Sequence, residues 1–225
     1  MTMLPSGTDG TAGTSATYAL FGDFPQTIKA SAVTVDETKT FTMGGQTYYK
    51  GSDGNWYAEV SSDYYKVEPI KWRVVTTDYS GKKLLVAENI LMGACFDTNG
   101  GNTYSSSSIQ TYLTGSFLSS AFTSGSQNLI STTTVEGASG KIFLLSKTDA
   151  ENSSYFSGDS SRIRNHTDFA VANGAENNAQ NNGAGWWCRP GSVHRIALSV
   201  CKFLDFLNWK SGAFSNYLWG YSFCK

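Results

Sequence analysis

The stretch Tyr64-Tyr-Lys-Val-Glu-Pro-Ile-Lys-Trp-Arg-Val-Val75 decides the class of fold. Its second half alternates with period two. Ile70, Trp72 and Val74 point one way, and Lys71 and Arg73 point the other. That is the pattern of a strand with one face in a core and one toward water. Turn and strand signals continue on both sides. Upstream, Phe41-Thr-Met43 and Gln46-Thr-Tyr-Tyr49 flank Gly44-Gly45, a two-residue hairpin signal. Gly51-Ser-Asp-Gly-Asn55 turns again before Trp56-Tyr-Ala-Glu-Val60. Tyr18 to Lys29 opens the domain, with Pro25 suited to an edge strand or the start of one. Downstream, Tyr79-Ser-Gly-Lys82 turns into Lys83-Leu-Leu-Val-Ala87, read as a short buried strand.

Farther along, the period changes. Ser105 to Ser108 offer an N-cap, and Ile109, Tyr112, Leu113, Phe117 and Leu118 follow at helical spacing, with Gly115 as a weak point. Ile142-Phe-Leu-Leu145 reads as a buried strand. Ser146 before Thr148-Asp-Ala-Glu151 reads as a helix start, and Thr167 to Ala172 as a short helix ending near Gly174. Glu176 to Gly185 is a polar loop that delivers the chain to Trp186. Strands come first, then helices, then an irregular part, then strands. The expected class is therefore α+β rather than alternating βαβ units. Residues 1–16 hold almost nothing to bury and are expected to be a disordered leader or linker, leaving 17–225 as a single domain.

Composition narrows the function classes. The chain has 225 residues and a net charge of −1, which gives no electrostatic footprint for nucleic acid. No apolar run reaches the roughly 18 residues of a spanning helix, and Met1 to Ser15 lack the apolar region of a signal peptide. Cys95, Cys188, Cys201 and Cys224 have no CxxC spacing, so a zinc site of that kind is absent. Disulfides are open to the three in the tail, but each cysteine is read as a buried free thiol.

Catalytic patterns are equally sparse. His166 and His194 are the two histidines, and neither sits in HExxH. No GxSxG elbow or phosphate-cradling loop occurs. Asp149 with Glu151 fits a helix N-terminus better than an acid/base pair. Ser157-Gly-Asp-Ser-Ser161 supplies one weak calcium-loop ligand. No cofactor and no metal are expected.

The tail, residues 186–225, is different. Ten of its forty residues are Trp, Tyr or Phe, against 14% in the whole chain, which marks it as core sheet or binding surface. Arg189, Arg195, Lys202, Lys210 and Lys225 against Asp205 make it about +4, so the rest is about −5. A sheet can bury one face of such a stretch and present the other, so the two readings are compatible.

Four segments occur in a telling order: Phe21-Gly-Asp-Phe-Pro-Gln-Thr27, Tyr64 to Val74, Ile142-Phe-Leu-Leu-Ser146 and Trp186-Trp-Cys-Arg-Pro-Gly-Ser192. Together they resemble bacterial domains of C-type lectin fold related to the formylglycine-generating enzyme. Arg189-Pro-Gly-Ser192 stands where that superfamily often has Arg-Gly-Gly-Ser, and Gly220-Tyr-Ser-Phe223 near its terminal Gly-Phe-Arg. The resemblance covers roughly residues 17–225. Within the superfamily the chain most resembles the variable proteins of diversity-generating retroelements, in which adenine-directed mutagenesis rewrites chosen codons of a C-terminal segment.

That resemblance implies a non-catalytic protein displayed at the cell surface. It would be lipid-anchored through an N-terminus not in this sequence, monomeric, and bound to a macromolecule that is expected to be a protein. Its variable region would be 186–225. Ala197-Leu198, Val200, Leu204, Leu207, Gly212-Ala-Phe214 and Leu218-Trp-Gly220 read as framework. The ligand-binding positions, all reachable from Asn codons, would be Val193, His194, Arg195, Ser199, Phe203, Asp205, Phe206, Ser211, Ser215, Asn216, Tyr217 and Tyr221. Lys202 and Lys210 fit that scheme less well. The rival is a metal-dependent oxidase of the formylglycine-generating kind. Those enzymes resemble one another in a cysteine pair soon after Gly-Gly-Ser. Here Ser192 is followed by Cys201 and then Cys224, so that pair is missing. Calcium-dependent sugar binding resembles Glu-Pro-Asn chemistry, whereas Glu68-Pro69 is followed by Ile70.

Overall fold

The computed structural model describes residues 2–8, 15–158, 161–162, 164–175, 184–185 and 195–197. The architecture is mixed α+β with mostly antiparallel strands and few helices. Seven strands form the main sheet: β1 (Thr2–Thr8), β2 (Ser15–Ile28), β3 (Val35–Met43), β4 (Gln46–Gly51), β5 (Trp56–Val60), β6 (Asp63–Tyr79) and β7 (Lys82–Ala87). Their order is β1-β2-β6-β5-β4-β3, with β7 beside β6.

The deciding stretch is the spine of this sheet. β6 carries β2 along one edge, from Tyr65 to Arg73. Its other edge is shared. Asp63 to Lys66 pair with β5, and Trp72 to Tyr79 pair with β7. Ile70 and Trp72 are buried as the alternation requires, and Val74 is half-buried. Tight turns close the hairpins. Gly44 and Gly45 both take positive φ (59° and 82°), as a two-residue primed turn demands. Ser61-Ser62 does the same between β5 and β6 without a glycine, so the sequence carries no signal for it. Among the described residues, Pro25 lies where β2 has no strand on its outer edge, because β1 pairs with Ser15 to Leu20. Its missing N–H therefore breaks no ladder bond on that side.

Within the stretch expected to be a leader, Thr2–Thr8 pair with β2 as β1. Main-chain groups of an edge strand can accept a partner of almost any composition, so a lack of apolar side chains does not prevent pairing.

The helical part covers the sheet. After β8 (Gly93–Cys95), a single 3-10 turn (Tyr104–Ser106) leads to α1 (Ser108–Tyr112), a π turn (Leu113–Phe117) and α2 (Leu118–Ala121). Ser107 caps α1, its hydroxyl accepting from the Gln110 N–H at 3.3 Å. Ile109, Leu113, Phe117 and Ala121 recur every fourth residue and are all buried. Four residues overshoot one α turn and undershoot one π turn, so the π segment keeps this row facing the core. The ring of Phe24 on β2 lies 5.1 Å from Phe117, and Phe21 lies 5.3 Å from Phe122.

Ile142–Leu145 are buried, but they form no strand. The expectation was right about burial and wrong about pairing. At least one backbone group there finds a side chain instead, the Leu144 N–H donating to the Tyr104 hydroxyl at 3.1 Å. The remaining elements are short: α3 (Ser124–Gln127), β9 (Thr133–Val135), β10 (Ala138–Gly140), α4 (Lys147–Glu151), β11 (Arg164–Asn165), α5 (Asp168–Ala172), β12 (Ala184–Gly185) and β13 (Arg195–Ala197). Ser146 caps α4 and Thr167 caps α5, each accepting from the N–H three residues on at 3.1 Å. Gly174, at φ 82°, ends the turn after α5. Among the described residues no helix is long and apolar enough to cross a membrane.

Candidate functional site

The segment from Glu88 to Cys95 receives the C-terminal part of the chain. It leaves the sheet at the end of β7, held by Glu88 N–H donating to Lys71 O at 2.9 Å. Ile90 then exchanges backbone hydrogen bonds with the segment around β11. Its N–H donates to Asn165 O at 2.9 Å, and its carbonyl accepts from Thr167 N–H at 3.0 Å. β11 in turn pairs antiparallel with β12, Arg164 opposite Gly185. β8 pairs antiparallel with β13, Arg195 opposite Cys95 and Ala197 opposite Gly93. The chain is thus attached just before the tail, at 184–185, and within it, at 195–197.

Gly93 permits a close approach at this place. A Cβ there would collide with the backbone of Gly174 and Ala175, the turn that follows α5. β8 is also tied to the helical layer, because Ile109 N–H donates to Phe96 O at 3.0 Å.

A charged cluster underlies the same attachment. Arg73 grips Glu88 with two donors, Nε to Oε2 and Nη2 to Oε1, each at 3.0 Å. The Arg164 Nε stands 3.9 Å from Glu88 Oε2. One carboxylate is therefore shared by two guanidinium groups, and all three side chains are largely buried. Arg162 donates to Ala150 O at 3.3 Å. Sequence reading missed this cluster, because Arg73, Glu88 and Arg164 lie far apart along the chain. Fixed geometry of this kind specifies position more than it adds stability.

Of the residues expected to bind ligand, Arg195 falls in β13, where its backbone is placed. Val193, His194, Ser199, Phe203, Asp205, Phe206, Ser211, Ser215, Asn216, Tyr217 and Tyr221 lie outside the described residues, as do Trp186 and Trp219. Asp149, weighed as one half of an acid/base pair, sits in the first turn of α4 and accepts from Ser146 and from the Tyr79 hydroxyl. It belongs to the start of the helix, whose cap is Ser146. Asp159 of the weak calcium loop lies outside the described residues. Among the described residues, no three or more His, Cys, Asp or Glu side chains gather as a metal site would require.

Cys95 was expected to be a free thiol and is instead disulfide-bonded. Spacing could not reveal this, because the other cysteines are Cys188, Cys201 and Cys224, far away in sequence.

An open cavity of about 540 Å³ lies elsewhere, at the bulge in β2, between Phe21, Asp23, Pro69 and Leu129. Burial raises the Asp23 carboxyl above its usual range.

Comparison with curated proteins and with solved structures returns no match. Comparison with protein families matches residues 80–216, from the β6–β7 turn through the segment that receives the tail and into the tail itself. That span is more than half of the chain, which therefore belongs to the family described as "Domain of unknown function (DUF6273)".

Proposed function

We propose that this is a non-catalytic, surface-displayed binding protein with a C-type-lectin-like framework, whose C-terminal segment is diversified by a retroelement to change what it binds. The observation that carries the reading is that the chain is attached twice, just before the tail and within it. β12 and β13 hold the chain to the framework at 184–185 and 195–197. The expected binding positions 193–221 begin beside the second attachment. Ladder bonds do not depend on side-chain identity, so these attachments keep their footing when side chains beside them change. The tail's composition supplies the other half of the argument. Aromatic and Arg side chains are the usual anchors of protein recognition.

The test is a displayed library in which the twelve binding positions carry residues reachable from Asn codons. Under this reading most members fold, and panning against unrelated proteins yields binders of different specificity. A library in which most members fail to fold would overturn it, because the positions would then be core.

A further inference from the structure

We infer that the disulfide at Cys95 is the covalent half of a clasp that locks the C-terminal segment onto the framework, the backbone half being the β8–β13 ladder. The inference does not rest on the display reading.

Three observations carry it. Cys95 is disulfide-bonded and is the last residue of β8. The strand opposite is β13, with Arg195 in register with Cys95. The other cysteines of the chain all follow residue 187, so an intramolecular bond from Cys95 reaches the C-terminal segment whichever of Cys188, Cys201 and Cys224 receives it. The bond then closes a loop of about 90 to 130 residues, and cross-linking restricts an unfolded chain more as the loop lengthens.

The clasp has a reason to exist. Three residue pairs make a marginal ladder, since two-stranded pairings of that length are not stable by themselves in water. Cys95, by contrast, stands on a firm base. Gly93 abuts the turn after α5, and Phe96 is buried and accepts from Ile109. A covalent bond at this base holds the tail where the ladder places it.

Closing the clasp joins two thiols by an S–S bond and releases two protons and two electrons. A disulfide donor of the thiol–disulfide oxidoreductase class accepts them and becomes a dithiol. The protein is therefore suited to an oxidising compartment, because cytosolic thiol pools keep such pairs reduced.

The experiment uses the full chain, purified from an oxidising compartment or refolded in a glutathione redox pair. Iodoacetamide labelling without reductant, followed by peptide mapping, should leave Cys95 unlabelled and linked to a peptide carrying Cys188, Cys201 or Cys224. Amide exchange at Arg195–Ala197 should then accelerate at least tenfold in dithiothreitol, with Ala19 and Trp72 unchanged. Cys95→Ser should reproduce the fast exchange without reductant. If that variant does not fold, the reduced and oxidised wild-type chains still give the comparison. Labelled Cys95, a bond to a second molecule, or equal exchange in both redox states would each overturn the inference.

Discussion

Arg195 stands directly opposite Cys95 in the antiparallel pair of β13 and β8. A residue from the far C-terminal part of the chain is thereby placed against a strand that follows the main sheet. The pairing explains the demands on its neighbours. Gly93 must lack a side chain so that the turn after α5 can approach, and Ile90 must offer both backbone groups to the segment around β11. Among the described residues, the tail meets the framework where β13 pairs with β8. Predictions about the framework can therefore be separated from predictions about binding.

Trp72→Ala should destabilise the protein by about 3–5 kcal/mol. Trp72 is buried, stands 6.3 Å from the Phe122 ring, and donates its indole N–H to Phe21 O at 2.7 Å. Urea denaturation followed by circular dichroism measures this. Trp72→Phe should cost less, because it keeps much of the volume and loses the hydrogen bond. A midpoint unchanged in Trp72→Ala would remove Trp72 from the core.

Much of this framework is legible in the sequence. The period-two run at Ile70 to Val74, the Gly44-Gly45 hairpin and the Ser146 and Thr167 caps all signal themselves locally, because turns, caps and alternation depend on neighbouring residues. What is not legible depends on residues far apart. The Ser61-Ser62 turn is imposed by the pairing of β5 with β6, at odds with the residues' own preference. Ile142–Leu145 have strand composition and burial but no ladder partner, which only the packed fold decides. The Cys95 bond and the Arg73–Glu88–Arg164 cluster join positions that no local pattern connects.

Glu88→Gln should destabilise by about 3–5 kcal/mol, because it leaves Arg73 and Arg164 largely buried without their shared anion. A double-mutant cycle with Arg73→Met checks the mechanism. The double variant should recover part of the loss, since Arg164 alone then lacks the shared anion. Additive losses would mean that the two side chains do not interact.

Alkaline pH should unfold the protein steeply above about pH 10. Burial pushes the Tyr48 and Tyr104 phenols up to about 12, and it raises Tyr112 as well. In the unfolded chain these groups ionise near 10. The native state therefore holds more protons than the unfolded state between those values, and stability falls as pH rises through that window. Each such group contributes a slope of up to ~1.4 kcal/mol per pH unit. Absorbance at 295 nm should show one set of phenols ionising near 10 and a second set only as circular dichroism is lost. A single transition near 10 with the fold intact would contradict the burial of these tyrosines.

The central claim is that the tail is a diversified binding surface on a constant framework. Deep sequencing of the gene across a growing population of the source cells tests it most directly. The account predicts substitutions concentrated at the codons for Val193, His194, Arg195, Ser199, Phe203, Asp205, Phe206, Ser211, Ser215, Asn216, Tyr217 and Tyr221, with adenines at the matching places of a nearby template repeat and the codons for Trp72, Glu88 and Cys95 unchanged. Substitutions spread evenly along the gene, or a tail as constant as the framework, would contradict it.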